Sequence, residues 1–523
     1  MIKPNLLIIL DGWGENPSLE GNAVAQAKTP TVDKLSRHYP QTLLQASGIS
    51  VGLPWEEVGN SEVGHLTLGA GRIIYQNLPR ITLAIQDGSF FKNNALKAAV
   101  ENVKKNNSAL HIIGLASNGS VHSSLDHLYA LLEMAKSSQL KKVYLHLFLD
   151  GRDTSPTSGI KFVGEIEERL KEFSCGKIAS LCGRYFAMDR NDNWDRTEKA
   201  YNLLTLGEGK KEKNPIEAIK KSYQAKVTDE FLEPTIIEDE KKHVNIILEG
   251  DSVIFFNFRE DRARQITKAF VLPTLLKFNR KKYLKNIEFV CMVKYEDNLP
   301  AKVAFPPAEI KNCMGEILSK QEKQQLRIAE TEKYAHVTYF FNGGREEPFP
   351  KEDWILIPSQ STSTYDKTPE MSAFQITERV IKELGKGKYD FMLINYANAD
   401  MVGHTGNLKA AITAIEVVDR CLGKLIPEAL KIGGRLFITA DHGNAEEMIN
   451  QRTGEVDTEH STFPVPFWYV TPDNQRQKSE TQIVQSRNTV SGILSDVAPT
   501  ILKAMGLEVP KEMTGQNLLD VLS

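Results

Sequence analysis

Cysteine is scarce in this chain: five residues out of 523, an odd number, with no CxxC pair. That argues against a disulfide framework and predicts reduced thiols in a cytoplasmic protein. Long apolar runs are also missing. No stretch approaches the roughly 20 apolar residues that span a bilayer, and the run in MIKPNLLIILDGWG is too short for a signal-peptide core, so no membrane partner is expected. A strong charge of one sign is absent too. The net charge of −3 argues against a nucleic-acid binder, and the lysine-rich GKKEKNPIEAIKK (209–221) reads as a solvated helix face rather than a polyanion site. Fixed-period repeats and low-complexity tracts do not occur. What remains has the composition of a globular protein, in a chain too long for one ordinary core, so two domains are expected.

Short apolar runs, each followed by a polar, glycine-containing loop and then a helical pattern, recur along the chain. NLLIIL (5–10), ALHIIGLAS (109–117), KVYLHLFLD (142–150), SVIFFNF (252–258), YDFMLINYA (389–397) and RLFITA (435–440) are of this kind. Buried parallel strands alternating with helices read this way, which makes the class α/β. Two stretches, IIYQNLPRI (73–81) and NLPAKVAFPPAEI (298–310), read as candidate linkers, and the prolines and weak periodicity of the second suggest an extended connection. They divide the chain into a discontinuous outer domain, 1–75 and 310–523, and an inserted domain, 76–309.

Three of these runs lead to an acid: LLIIL to Asp11, FMLINYANA to Asp400 and RLFITA to Asp441. Ligands in open α/β sheets bind beyond the carboxyl ends of strands, so the three acids could share one rim, although each alone could be a turn residue. His404 follows Asp400 by four positions, His442 adjoins Asp441, and His460 sits in the loop TEHSTFPVP. Carboxylate with imidazole suits Mn²⁺ or Zn²⁺ better than Mg²⁺, and six such ligands exceed one tetrahedral ion but fit a two-metal site. In GNSEVGHLTLGAG (59–71), Ser61 precedes a possible helix. It could be a simple N-cap, or a nucleophile activated by nearby metals.

The ordered motifs DGWG (11–14), GNSEVGH (59–65), LDGRDT (149–154), GRYFAMDR (183–190), NFREDRARQ (257–265), IAETEKYAHVTYFFNGG (328–344), NYANADMVGHTG (395–406) and TADHGNAEEM (439–448) resemble the cofactor-independent phosphoglycerate mutases. The resemblance extends to EMTGQNLL (512–519). It implies an alkaline-phosphatase-like core with a mostly parallel sheet flanked by helices, plus an inserted α/β substrate-binding domain. It further implies a transiently phosphorylated Ser61 flanked by two Mn²⁺ ions and no organic cofactor. One ion would take Asp400, His404 and His460; the other would take Asp11, Ser61, Asp441 and His442. Adjacent strand residues point apart, so Asp441 and His442 can share an ion only if the backbone turns, which Gly443 would permit.

In the inserted segment Arg152 and Asp153, Arg184 and Arg190, and Arg259 and Arg262 cluster beside strand ends, as a substrate with a carboxylate and a phosphate requires. The resemblance adds His122 and Lys333 as substrate-binding or charge-stabilising residues and makes Asp153 the candidate acid or base. His65, Glu62 and Lys367 read as structural. The chain departs from the family pattern at Asn118, Ser120, Ser124 and Glu260, which bears on the His122 loop.

The implied reaction interconverts 3- and 2-phosphoglycerate in a monomer, with the inserted domain acting as a hinged lid that keeps water from the phosphoserine. The arginines argue against a metal-dependent phosphatase or phosphopentomutase, because a pentose phosphate has no carboxylate for them to clamp. An inactive phosphoglycerate binder would need no nucleophile.

Overall fold

The structure is a computed structural model and describes residues 3–522. The chain separates into two compact units: one runs to Gln76 and resumes at Ala308, and the other is Asn77–Pro307. Among the described residues each unit is built on an eight-stranded, mostly parallel sheet flanked by helices, which is the α/β class expected from the apolar runs.

In the first unit the strands lie in the order Glu352–Ile357, Gln325–Glu330, Phe391–Tyr396, Asn5–Leu10, Arg435–Thr439, Val465–Val470, Gln41–Gln45 and Val490–Ile493. The first five run parallel, while Val465–Val470 is antiparallel to both neighbours. Every residue of NLLIIL is buried, because a central parallel strand is covered on both faces and needs no polar alternation. Its register pairs Leu10 with Tyr396 and Ile9 with Thr439, so three strands finish together on one rim. The long helix Leu408–Lys431 is capped by Asn407 and buries Ala411, Ile415, Val418, Leu422 and Leu425. That spacing of alternately four and three residues is one helical face.

The second unit orders its strands Lys302–Phe305, Glu288–Val293, Ser252–Phe255, Leu110–Ala116, Val143–Leu149, Lys177–Gly183, Thr235–Ile237 and Lys210–Glu212. Among the described residues only the pair Lys177–Gly183 and Thr235–Ile237 is antiparallel there.

Both expected connections contain regular structure. The stretch 73–81 turns helical at Asn77, where Pro79 occupies the first turn at little cost and Ile81 and Ala84 are buried. Within 298–310, Lys302–Phe305 adds an edge strand parallel to Glu288–Val293, and the two prolines that follow end it. The lysine-rich segment is an exposed edge strand, Lys210–Glu212, followed by the helix Pro215–Gln224, rather than one helix face. Lys210 and Lys211 pair with Glu233 and Glu238, and charges on such an edge discourage further strand pairing. All five cysteines are free thiols. Among the described residues no helix is long and apolar enough to cross a membrane.

Candidate functional site

Four neighbouring parallel strands of the first unit, Gln325–Glu330, Phe391–Tyr396, Asn5–Leu10 and Arg435–Thr439, lead respectively to Lys333, Asp400, Asp11 and the pair Asp441 and His442. The loops are tied backbone to backbone: Asp11 N donates to Tyr396 O at 3.1 Å, and Asp400 N donates to Asp11 O at 3.0 Å. So close an approach requires Gly12, whose φ is +74° and whose Cβ would stand 2.6 Å from Asp400 Cα. Ser61 is the first residue of the helix Ser61–Ala70, and the cap is Asn60, whose side chain accepts from Val63 N. With the capping task met by its neighbour, the Ser61 hydroxyl turns into the cluster.

Ser61 Oγ donates to Asp11 Oδ1 at 3.3 Å, lies 2.9 Å from His442 Nε2 and accepts from Lys333 Nζ at 2.7 Å. The Lys333 ammonium is also 2.6 Å from Asp11 Oδ1 and 2.5 Å from Asp400 Oδ2. Burial works against its charge, yet Asp11, Asp400 and Asp441 outweigh burial and hold it protonated beyond the usual lysine range. The same contest pushes His442 up to about 10: burial would lower it, and Asp441, Asp11 and Asp400 prevail.

His460 Nε2 is 3.1 Å from both Asp400 Oδ1 and His404 Nε2, and His404 Nε2 is 3.3 Å from Asp400 Oδ1. The seven residues expected to bind metal therefore converge. Donor atoms of Asp400, His442 and His460 lie within 4.8 Å of one another, and so do those of Asp11, His65 and Asp441. Lys333 belongs to this cluster, whereas exposed Glu62 and Lys367 stand apart from these bonds. Both carboxylate oxygens of Asp441 are buried without a hydrogen-bond partner. His65 Nδ1 lies 3.1 Å from Oδ2 without completing a hydrogen bond, and a buried carboxylate among imidazoles and two more carboxylates suits a divalent cation.

Glu446, absent from the expected site, organises the loops behind it. Its Oε2 accepts from Gly14 N and Asn444 N, both at 2.9 Å, and Oε1 accepts from Ser461 Oγ, so one carboxylate joins the loops of Asp11, His442 and His460. Gly443 permits the turn without a left-handed φ. Its missing side chain makes room instead, since a Cβ there would lie 2.2 Å from Glu446 Oε1.

The second unit repeats the plan with other residues. Its neighbouring strands Ser252–Phe255, Leu110–Ala116, Val143–Leu149 and Lys177–Gly183 lead respectively to Arg259 and Arg262, His122, Arg152 and Asp153, and Arg184. Asp150, which the sequence did not single out, is the hub. It accepts from Arg152 N at 3.1 Å, Asp153 N at 3.0 Å, Ser117 Oγ at 2.5 Å and Arg184 Nη1 at 2.6 Å. Arg184 Nη1 also reaches Asp153 Oδ2 at 2.5 Å.

Asp261 is a second unexpected anchor, 2.6 Å from Arg190 Nη1, 3.4 Å from Arg259 Nε and 3.6 Å from His122 Nδ1. Arg152 Nη2 meets Glu230 Oε1 at 2.5 Å, and Arg262 Nη1 donates to Met188 O at 3.1 Å. Burial, then Arg184, Arg190 and Arg152, disfavour the charge of Arg262. Burial, then Arg184, push His122 down to about 4 against the pull of Asp261 and Asp153. Guanidinium groups pressing on one another in this way form a place for an anion. In the adjoining loop Ser120 holds a left-handed φ of 56°, and Ser124 caps the helix Leu125–Ser137 by accepting from Asp126 N.

A family model described as the BPG-independent PGAM N-terminus matches residues 81–297. The chain is 53% identical over 519 residues to a 2,3-bisphosphoglycerate-independent phosphoglycerate mutase of Clostridium perfringens (strain SM101 / Type A), covering 99% of each chain. A protein of the same name from Methanococcoides burtonii is 51% identical over 522 residues, covering 99% of this chain and 98% of that one. Among solved structures, a Leishmania mexicana phosphoglycerate mutase at low cobalt concentration is 31% identical with a TM-score of 0.54, covering 99% of this chain and 97% of that chain.

Proposed function

The chain belongs to the 2,3-bisphosphoglycerate-independent phosphoglycerate mutases, and we propose that its two clusters divide the family's reaction between them. The enzyme is an isomerase that interconverts 3-phospho-D-glycerate and 2-phospho-D-glycerate. The first cluster transfers the phosphoryl group; the arginines of 77–307 and His122 hold the glycerate. The observation that carries this reading is the setting of Ser61 Oγ, a buried hydroxyl 2.7 Å from the Lys333 ammonium and hydrogen-bonded to Asp11.

Ser61 Oγ attacks phosphorus, and its proton leaves along the hydrogen bond to Asp11 Oδ1. The phosphorus–oxygen bond to the substrate breaks, and Asp153 passes the proton of the other glycerate hydroxyl to the oxygen that loses the group. The glycerate oxygen freed of its proton then receives the phosphoryl group from phosphoserine while Asp11 returns the proton to Ser61. Lys333 and the amino end of the helix Ser61–Ala70 stabilise charge on the phosphoryl oxygens. Arg152, Arg184, Arg190, Arg259 and Arg262 offer bidentate donors to the carboxylate and phosphate.

The enzyme uses divalent metal ions. We assign two Mn²⁺, one to Asp400, His404 and His460 and the other to Asp11, Ser61, Asp441 and His442; bound there, they supply charge against the phosphoryl oxygens and lower the pKa of the serine hydroxyl. No organic cofactor is required, since the substrate's own phosphoryl group is what moves. We propose a monomer as the active form, as the family resemblance implies.

An enolase-coupled assay from 3-phosphoglycerate, run with and without added 2,3-bisphosphoglycerate and with acid-quenched protein analysed by mass spectrometry, tests this reading. We expect turnover that ignores the bisphosphate and a phosphate on Ser61. Release of inorganic phosphate without 2-phosphoglycerate, or a strict need for the bisphosphate, would overturn it.

A further inference from the structure

Behind Ser61, a set of buried polar groups has hydrogen bonds that admit one arrangement of protons. Asn395, on the strand Phe391–Tyr396, donates from Nδ2 to Asp11 Oδ2 at 2.7 Å, and the same Nδ2 lies 3.1 Å from His65 Nε2. Across the ring, His65 Nδ1 lies 2.9 Å from the carbonyl oxygen of Ser61 and 3.1 Å from Asp441 Oδ2. The side chains of Asp11, His65, Asn395 and Asp441 are all fully buried.

An ionised carboxylate only accepts, so Asp11 fixes the Asn395 amide with its NH₂ forward; the flipped amide would set two oxygens against each other. That NH₂ also faces His65 Nε2, which must then present its lone pair. The single ring proton is left on Nδ1, where the Ser61 carbonyl accepts it. A nitrogen that donates cannot bind a metal, and the Nε2 lone pair is already taken. The ring therefore has no lone pair free for an ion, although its atoms fall within ligand reach of Asp11 and Asp441.

We propose that His65 and Asn395 are positioning residues for phosphoryl transfer, forming a hydrogen-bonded bridge from the backbone of Ser61 to the carboxylate of Asp11, and that His65 is not a metal ligand. The proposal rests on the phosphoserine reading above. The bridge occupies Asp11 Oδ2 and so leaves Oδ1 to face Ser61 Oγ at 3.3 Å and Lys333 Nζ at 2.6 Å. Such support acts by holding the reacting atoms in place, and its loss commonly costs about 10- to 100-fold in activity or metal affinity.

The test is a double-mutant cycle on the metal-loaded enzyme. His65→Asn keeps a donor near the Nδ1 position but loses the acceptor for Asn395, and Asn395→Ala removes the other half of the bridge. Each is expected to lower kcat about 10- to 100-fold with little change in KM and with both metals retained. In the Asn395→Ala background, adding His65→Asn should change kcat by no more than about twofold, because the bridge is already broken. Full additivity, or loss of one metal per chain in His65→Asn, would overturn the inference. If Asn395→Ala does not fold, Asn395→Ser replaces it in the cycle. Ser61→Ala run in parallel separates the two levels: a serine variant that still isomerises sinks the phosphoserine reading, whereas an inactive one beside an additive cycle sinks only the bridge.

Discussion

The two clusters share a construction and oppose each other in charge. Each lies where four neighbouring parallel strands of an α/β sheet lead into loops. In the first unit three buried carboxylates surround one lysine, and His442 is pushed up to about 10. In the second unit arginines outnumber their acidic anchors, and His122 is pushed down to about 4. Burial disfavours the charge of both imidazoles; the carboxylates around His442 outweigh it, whereas Arg184 beside His122 adds to it, so the lining of each rim decides the direction. A carboxylate-lined rim collects cations, and a guanidinium-lined rim collects carboxylate and phosphate.

The sharpest break in this comparison is Ser61→Ala. It removes the nucleophile from the first cluster and leaves the second intact, so kcat should fall by about 10³-fold or more. Metal content, measured by mass spectrometry, should stay largely unchanged because the other donors remain. Substantial turnover in this variant would mean that the chemistry does not belong to the first cluster.

The mirror experiment is Arg262→Ala. Removing one partner of a desolvated, charge-assisted contact costs on the order of 2–5 kcal/mol, which should appear in kcat/KM with metal loading unaffected. Metal loss in step with the loss of activity would show that this arginine supports the fold rather than the substrate.

The two histidines predict opposite responses to pH in the chelated protein. His442 is raised above its ordinary value of 6.5, so its contribution to stability is complete below about 6.5 and fades as pH rises through about 10. His122 is depressed from 6.5, so its contribution is present above about 6.5 and is lost as pH falls towards about 4, where the unfolded chain takes up the proton first. Imidazole titrations by NMR on the chelated enzyme check both directions. Two histidines titrating together near 6.5 would erase the electrostatic contrast.

The smallest expected effect concerns Ser120, which holds a left-handed φ of 56° beside the His122 loop. Ser120→Gly should raise stability in urea unfolding by about 1 kcal/mol, since a side chain in that region costs roughly 1–2 kcal/mol that glycine avoids. No gain would indicate that the Ser120 hydroxyl, which donates to Asn118 O at 3.3 Å, offsets the strain.

Apolar runs ending near acids disclosed the α/β class and the positions of Asp11, Asp400 and Asp441, because buried parallel strands need unbroken hydrophobic sequence and present their functional loops at one end. The arginines of 77–307 were legible for the same reason, lying just past strand-like runs. The prolines of 298–310 suggested an extended connection, and the short edge strand Lys302–Phe305 within it shows only once its neighbour is seen. The supporting groups could not be read at all. Gly14 N meets Glu446 across 432 positions, and Asn395 meets Asp11 across 384. Asp150, Asp261 and His65 likewise resemble ordinary polar residues in sequence. Residue type and strand pattern thus determined which chemistry the chain carries. Which hydroxyl faces which carboxylate, and which imidazole nitrogen keeps its proton, was decided by tertiary packing, because a hydrogen bond depends on distance and direction between atoms that the sequence holds far apart.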